Sequence, residues 1–357
     1  MTTHPLVTVI IPTHEHDESL EYSVRSVLEQ TVTELEVVII GDGVTSDVRT
    51  IAERLDRVES RVRFEDHPKT PRHGESLRDR VIRDVSSPFI AYNGDDDLWL
   101  PRHLETMIEV IGERDFAHPL PILIVGGAEP LHIASNLRDP ASVAWHLGTT
   151  PRNSISLTGV VHTREAYLRL PHGWRETPVG RWTDHYMWQQ FFEQEWFSGA
   201  TSPQSTTLKL IAQADDRAAR GGGRADIELW WERMHTPGFV DEWGKMVFAA
   251  VRRAAVDHTV LAAAREDQLR DHLAELEATC DALLEARTAL DSVTSAREAG
   301  RRVEEQLSIR VTQTEEHLRA LQATVSWRVT RPLRMLRLLT RSGASRRARG
   351  VAPSPDR

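Results

Sequence analysis

One cysteine in 357 residues, Cys280, leaves no intramolecular disulfide framework to hold the fold and fits a reducing compartment. No apolar run approaches the roughly 20 residues that a membrane-spanning helix needs. The N-terminus enters a strand pattern almost at once, without the basic-then-apolar layout of a signal peptide. Together these absences predict a cytoplasmic protein. The histidines His14, His16, His132 and His146 lack a convincing metal-ligand spacing and read as surface or core residues. What the chain does have is 40% hydrophobic residues, enough for one substantial core with further elements attached. Its net charge of -9 is unevenly spread, because the last thirty or so residues are strongly basic and the rest is acidic.

The first hundred residues alternate. Leu6–Thr13 and Leu35–Ile40 are near-continuous apolar runs, as expected of parallel strands buried on both faces, and Val62–Phe64 is a short third strand. Between them, helical spacing appears at Leu20, Val24, Val27 and Leu28, at Val48, Ile51 and Leu55, and at Leu77, Val81, Ile82 and Val85. Strands and helices of this length predict right-handed βαβ units and a mostly parallel α/β sheet covered on both faces.

A strand-like run, Phe89–Tyr92, then ends in Asn93-Gly94, and Asp95, Asp96 and Asp97 follow directly. Three adjacent carboxylates repel one another unless they are solvated, hydrogen-bonded or neutralised by a cation. Pro101 with Leu104, Met107, Ile108 and Ile111 starts the next helix. In such sheets ligands bind outside the carboxyl ends of the strands. Asp42, after Gly41, and the aspartate trio both fall at that edge on different strands, which favours a site over a merely solvated turn. Hard oxygen ligands of this kind suit Mg2+ or Mn2+.

The ordered set Val9-Ile10-Ile11-Pro12-Thr13, Ser26–Thr31, Val38–Gly43 and Gly94-Asp95-Asp96-Asp97-Leu98-Trp99-Leu100-Pro101 resembles the inverting GT-A glycosyltransferases of the large family 2 type, over roughly residues 6–200. The resemblance implies a GT-A (Rossmann-like) fold and transfer of a sugar from a nucleotide-sugar donor to a glycan or lipid-linked acceptor in cell-surface synthesis. It implies that Pro12, Thr13 and Asp42 meet the nucleotide base. Arg78 matches a position that serves the donor's nucleotide or phosphates, with a surface arginine as the alternative. The family's acidic motif usually reads Asp-X-Asp-Asp, and here Gly94 holds the first place. Asp96 is then the first metal ligand, with Asp97 beside it for Mg2+ or Mn2+. Asp95 or Asp97 meets the donor ribose or a metal-bound water, and Asp95 is counted with the donor site. Residues 153–162 resemble the strand under the acceptor, followed by a short helix at 164–168. Asp184 stands where the family has its general base, with His185 as the local competitor. Neither the Gln-X-X-Arg-Trp of processive synthases nor the glycine-rich loop of a pyrophosphorylase is present. The rival function is a catalytically inert, nucleotide-binding coiled-coil assembly protein.

The domain expectation is a catalytic domain at 1–214, a flexible loop and helical extension at 215–258, and a coiled coil at 259–325. A basic amphipathic segment at 326–342 and a disordered tail at 343–357 complete it. Residues 217–224, glycine-rich with Arg217, Arg220 and Arg224, read as a linker or as a lid on the diphosphate. Leu269, Leu273, Leu276, Cys280, Leu283 and Leu290 fit one heptad seam. Leu307, Val311, Thr314, Leu318, Leu321 and Val325 fit a second, offset near Gly300, which predicts a homo-oligomer unless the helix folds back. Beyond Trp327, Leu333, Met335, Leu336 and Leu339 share a face opposite Arg331, Arg334, Arg337 and Arg341. That pattern predicts peripheral docking on an anionic membrane surface, with a partner protein as the competitor and nucleic acid disfavoured.

Overall fold

The structure is a computed structural model and describes residues 4–15, 19–126, 129–148, 153–211, 224–294 and 301–323. The opening alternation is realised as β1 (Val7–Thr13), α1 (Ser19–Leu28), β2 (Leu35–Asp42), α2 (Ser46–Val58), β3 (Val62–His67), α3 (Glu75–Asp84) and β4 (Phe89–Tyr92). Thr45 caps α2 by accepting from the Val48 N–H, which satisfies one of the free donors at the helix start. After the aspartates come β5 (Leu98–Trp99), α4 (His103–Ile111), β6 (Phe116–His118), β7 (Ile122–Val125), β8 (Leu131–His132) and α5 (Pro140–His146). The order continues with β9 (Val161–Thr163), α6 (Arg164–Leu168), α7 (Thr183–Phe192), β10 (Gly199–Thr201) and β11 (Thr207–Ile211). Three helices follow: α8 (Arg224–Met234), α9 (Phe239–Thr294) and α10 (Arg301–Ala323).

Among the described residues the main sheet has the order β10-β6-β9-β4-β1-β2-β3. Strands β4, β1, β2 and β3 run parallel, while β9 pairs antiparallel with both β4 and β6, so the sheet is mixed. Alternate residues of each central strand serve opposite faces. Val7, Val9 and Ile11 pack with Val24, Val27, Val48 and Met107 on one face. Ile10, Val38, Ile40 and Tyr92 pack with Val81, Ile82, Tyr167 and Trp188 on the other. That two-sided burial explains why these strands read as near-continuous apolar runs. A second sheet, ordered β5-β11-β7-β8, carries its own core of Leu98, Ile124, Leu208, Leu210, Trp230 and Trp243.

The expected strand at 153–162 forms only at its end, as β9. The residues ahead of it are irregular because their polar groups are turned to partners outside any ladder. Asn153 donates from its side chain and Leu157 from its backbone to Asp184, and Thr158 donates to Asp97. Residues up to 263 form one compact unit and those from 264 a second. In the second, the seam residues Leu276, Cys280, Leu283 and Leu307 lie on helices and are exposed. Residues 326–357 and most of the 217–224 stretch lie outside the described residues.

Candidate active site

Because β1, β2 and β4 are parallel, their carboxyl ends fall on one edge, and four groups of polar residues gather around it. At the first, Thr13 ends β1 with its hydroxyl buried and without a partner among the described residues, next to the half-buried Pro12. Asp42 ends β2 and is 4% exposed. Its carboxylate accepts from Lys69 Nζ at 2.5 Å, from the Thr70 N–H at 2.5 Å and from the Thr70 hydroxyl at 3.0 Å. Burial pushes its pKa up, but these three donors outweigh burial and hold it below the usual aspartate value. The loop passes this close because Gly43 and Gly74 take positive φ, 68° and 72°.

Arg78, on α3, is 5% exposed and lies over the Trp174 ring, 4.6 Å from its centroid. Its Nε and one terminal nitrogen have no hydrogen-bond partner among the described residues. Burial lowers its pKa, and the charges of Glu75, Asp42 and Asp184 oppose that shift. Trp174 is itself fixed: its indole N–H donates to the Tyr92 hydroxyl at 3.0 Å and its backbone N–H to the Tyr167 hydroxyl at 2.7 Å. Gly173 lets the chain turn there, since a Cβ would fall 2.5 Å from that same hydroxyl. A buried guanidinium with unspent donors, facing carboxylates it does not touch, is a costly arrangement unless an anionic ligand completes it.

The acidic motif is asymmetric. Asp97 is fully buried; its Oδ1 accepts from the Leu210 N–H at 2.9 Å, and its Oδ2 from Lys209 Nζ at 2.8 Å and from the Thr158 hydroxyl. Burial pushes the Asp97 carboxyl up, against the pull of Lys209. Burial also draws Lys209 down, yet attraction to Asp97 and Asp96 outweighs it and keeps the ammonium charged. Asp96, a quarter exposed, faces the same ammonium at 3.8 Å. Asp95 is buried beside them. Gly94 has a local reason: a Cβ there would overlap Asp97 Oδ2 and come within 3.1 Å of Thr158 Oγ1, so Asp97 fills the volume a side chain would need.

A divalent cation implied by the acidic motif fits these residues unequally. Asp96 suits an ion that takes one or two carboxylates and draws its other ligands from water and phosphate. Asp97 does not, because both its oxygens are already held by the chain. Among the described residues, no group of three or more His, Cys, Asp or Glu side chains could enclose a metal.

Asp184 sits in the first turn of α7. Its Oδ1 accepts from Asn153 Nδ2 and from the His185 N–H, each at 2.8 Å, and its Oδ2 from the Leu157 N–H at 3.1 Å. Burial raises its pKa, and these hydrogen bonds and the more distant charge of Lys209 offset only part of the rise. His185 points the other way, with Nε2 3.0 Å from the His146 carbonyl, and burial lowers its pKa.

Electrostatically the groups form one site, since Arg78 feels both Asp42 and Asp184 while Lys209 feels Asp96, Asp97 and Asp184. Residues 8–170 match the family model described as glycosyl transferase family 2. The match takes in a little under half of the chain. Among curated relatives it is similar to the putative teichuronic acid biosynthesis glycosyltransferase TuaG of Bacillus subtilis (strain 168). The two are 26% identical over 113 residues, covering 32% of this chain and 44% of the relative. It is also similar to the GalNAc(5)-diNAcBac-PP-undecaprenol beta-1,3-glucosyltransferase of Campylobacter jejuni, 23% identical over 114 residues, 32% of this chain and 37% of that one. The chain thus spans less than half the length of each of these relatives. Among solved structures, S. aureus TarS 1-349 in complex with UDP-GlcNAc aligns with a TM-score of 0.44 at 13% identity, covering 58% of each chain.

The matched stretch ends before α7 and β11. Lys69, Thr70, Thr158 and Lys209 were not among the residues singled out from sequence. Only Lys209 leaves a signal there, as the one charge inside Thr207-Leu208-Lys209-Leu210-Ile211.

Proposed function

We propose that this protein moves a sugar from a nucleoside-diphosphate sugar to an acceptor hydroxyl by single displacement with inversion. The observation that carries the reading is Arg78, a guanidinium buried at the sheet edge with unspent donors. A diphosphate or nucleotide oxygen is the ligand that guanidinium geometry matches best. Thr13 and Asp42 line the nucleotide end of the cleft, and Asp95 lies on the ribose side. Lys69 and Thr70 fix the Asp42 carboxylate for that contact. Asp184 removes the acceptor hydroxyl proton: burial raises its basicity, and three neutral donors orient it without neutralising it. A divalent cation, Mg2+ or Mn2+, held by Asp96 would supply positive charge to the leaving diphosphate.

Support for an acceptor class comes from the relatives, which are named for teichuronic acid synthesis and for glucosyl transfer to a diphosphoundecaprenol-linked glycan. We infer a glycan or lipid-linked acceptor here as well. The exposed leucines of α9 and α10 support self-association, and the basic 326–342 segment supports contact with an anionic membrane face. A panel of UDP- and GDP-sugars, screened for binding and slow hydrolysis, tests the reading. Saturable binding of one donor, weakened by about 10–100-fold in Arg78→Ala, is the expected result. Absence of binding across the panel, with the fold intact, would overturn it. Binding without any hydrolysis or transfer would favour the inert assembly protein.

A further inference from the structure

Strand β11 pairs antiparallel with β5, with Thr207 opposite Trp99 and Leu208 opposite Leu98. One step further along that ladder brings Lys209 against Asp97, the last aspartate of the motif. The ammonium lies 2.8 Å from Asp97 Oδ2 and 3.8 Å from Asp96 Oδ1. It therefore stands in the space that an ion shared by the two carboxylates would occupy. The remaining capacity of Asp97 is taken by the Leu210 N–H and the Thr158 hydroxyl.

We propose that Lys209 is a built-in counter-ion that closes Asp97 to metal and leaves Asp96 as a one-carboxylate site, so that a divalent cation enters only together with a nucleoside diphosphate. The second half rests on the donor-site reading above; the exclusion by Lys209 does not. A lone carboxylate facing an ammonium has little hold on a hydrated ion, and Mg2+ and Mn2+ at such sites take their other ligands from substrate phosphates. Removing the ammonium leaves two adjacent carboxylates without a counter-charge, an arrangement that takes up a cation or a proton.

The test is depletion of the free-ion electron paramagnetic resonance signal of Mn2+, measured on the full chain with no nucleotide, with UDP and with GDP. Wild-type protein should leave the signal of Mn2+ alone unchanged and deplete it once UDP or GDP is added. Lys209→Met keeps the aliphatic stem and should bind Mn2+ without nucleotide at least about tenfold more tightly than wild type. Lys209→Arg restores the charge and should behave as wild type. Circular dichroism melts establish that each variant is folded. Wild-type protein that depletes the Mn2+ signal without nucleotide overturns the exclusion, whether or not Lys209→Met folds, and so does wild-type binding within about threefold of a folded Lys209→Met. If neither UDP nor GDP brings Mn2+ to the wild type while Lys209→Met gains it, the exclusion stands and the donor-site reading falls.

Discussion

Asp42 and Asp184 stand at the same edge of the sheet, both held by three hydrogen bonds, and their affinities for a proton move in opposite directions. At Asp42, burial is outweighed by an ammonium in direct contact and by Thr70, so the carboxyl stays below its usual range. At Asp184 the contacts are an amide side chain and two backbone N–H groups, all neutral, and burial prevails. The number of hydrogen bonds does not set the direction of the shift; the charge of the donors does.

The comparison breaks most visibly at Asp184. Asp184→Asn should cut transfer by about 10²–10⁴-fold while donor affinity stays within a few-fold, measured by turnover and by nucleotide titration. Equal losses in both would move Asp184 from base to binder. In the wild type, transfer should rise with pH through the raised pKa of Asp184 because the base acts ionised. A rise centred at or below the ordinary aspartate value would contradict its environment.

Next is Arg78. Losing a charged hydrogen-bond donor costs about 1.5–3 kcal/mol, so Arg78→Ala should weaken donor binding by about 10–100-fold. Arg78→Lys should recover little of it, because an ammonium cannot reproduce the planar fork over Trp174.

Asp42→Asn should cost about 1–3 kcal/mol of stability at neutral pH, since Lys69 and Thr70 lose their charged acceptor. Linkage gives that loss a direction. A carboxyl with a depressed folded pKa contributes stability above its unfolded pKa and surrenders it as pH falls through the folded value. The gap between wild type and Asp42→Asn should therefore close in acid. At Asp184 the folded pKa is raised, so its contribution is present below the unfolded pKa and is lost as pH rises through the folded one. Thermal melts of Asp184→Asn against wild type across the same range should drift the opposite way. Parallel drifts would erase the distinction between the two carboxylates.

The smallest effect belongs to Trp174→Phe, which keeps an aromatic surface under Arg78 and deletes the indole donor to Tyr92. A loss of about 1 kcal/mol in melting experiments, with donor affinity changed only a few-fold, is expected.

The sheet and its rim were legible in the sequence because double-sided burial writes near-continuous apolar strands such as Val7–Ile11, broken only by Thr8, and Val37–Ile40. The position of the aspartates at a strand end follows from the same pattern. Their partners were not legible. Lys69 and Thr70 lie in a loop with no periodicity, and they reach Asp42 only because two glycines bend the chain. Residues 153–158 carry strand-like composition, yet their hydrogen bonds go to Asp184 and Asp97 instead of a ladder. The pairing of β11 with β5, which sets Lys209 on Asp97, spans more than a hundred residues and leaves no local signature.

That span bears on how the molecule is made. The strands β1 to β4 can pair as soon as the first ninety or so residues are synthesised, but the acidic motif they present is incomplete until Thr207–Ile211 arrives. Long-range pairings of this sort form late because loop closure precedes their reward. A nascent chain halted near residue 170 would hold the family-matched stretch and still have Asp97 without its Leu210 and Lys209 partners. On the ribosome, the edge that carries the aspartates should therefore stay open and protease-sensitive until the second sheet closes behind it.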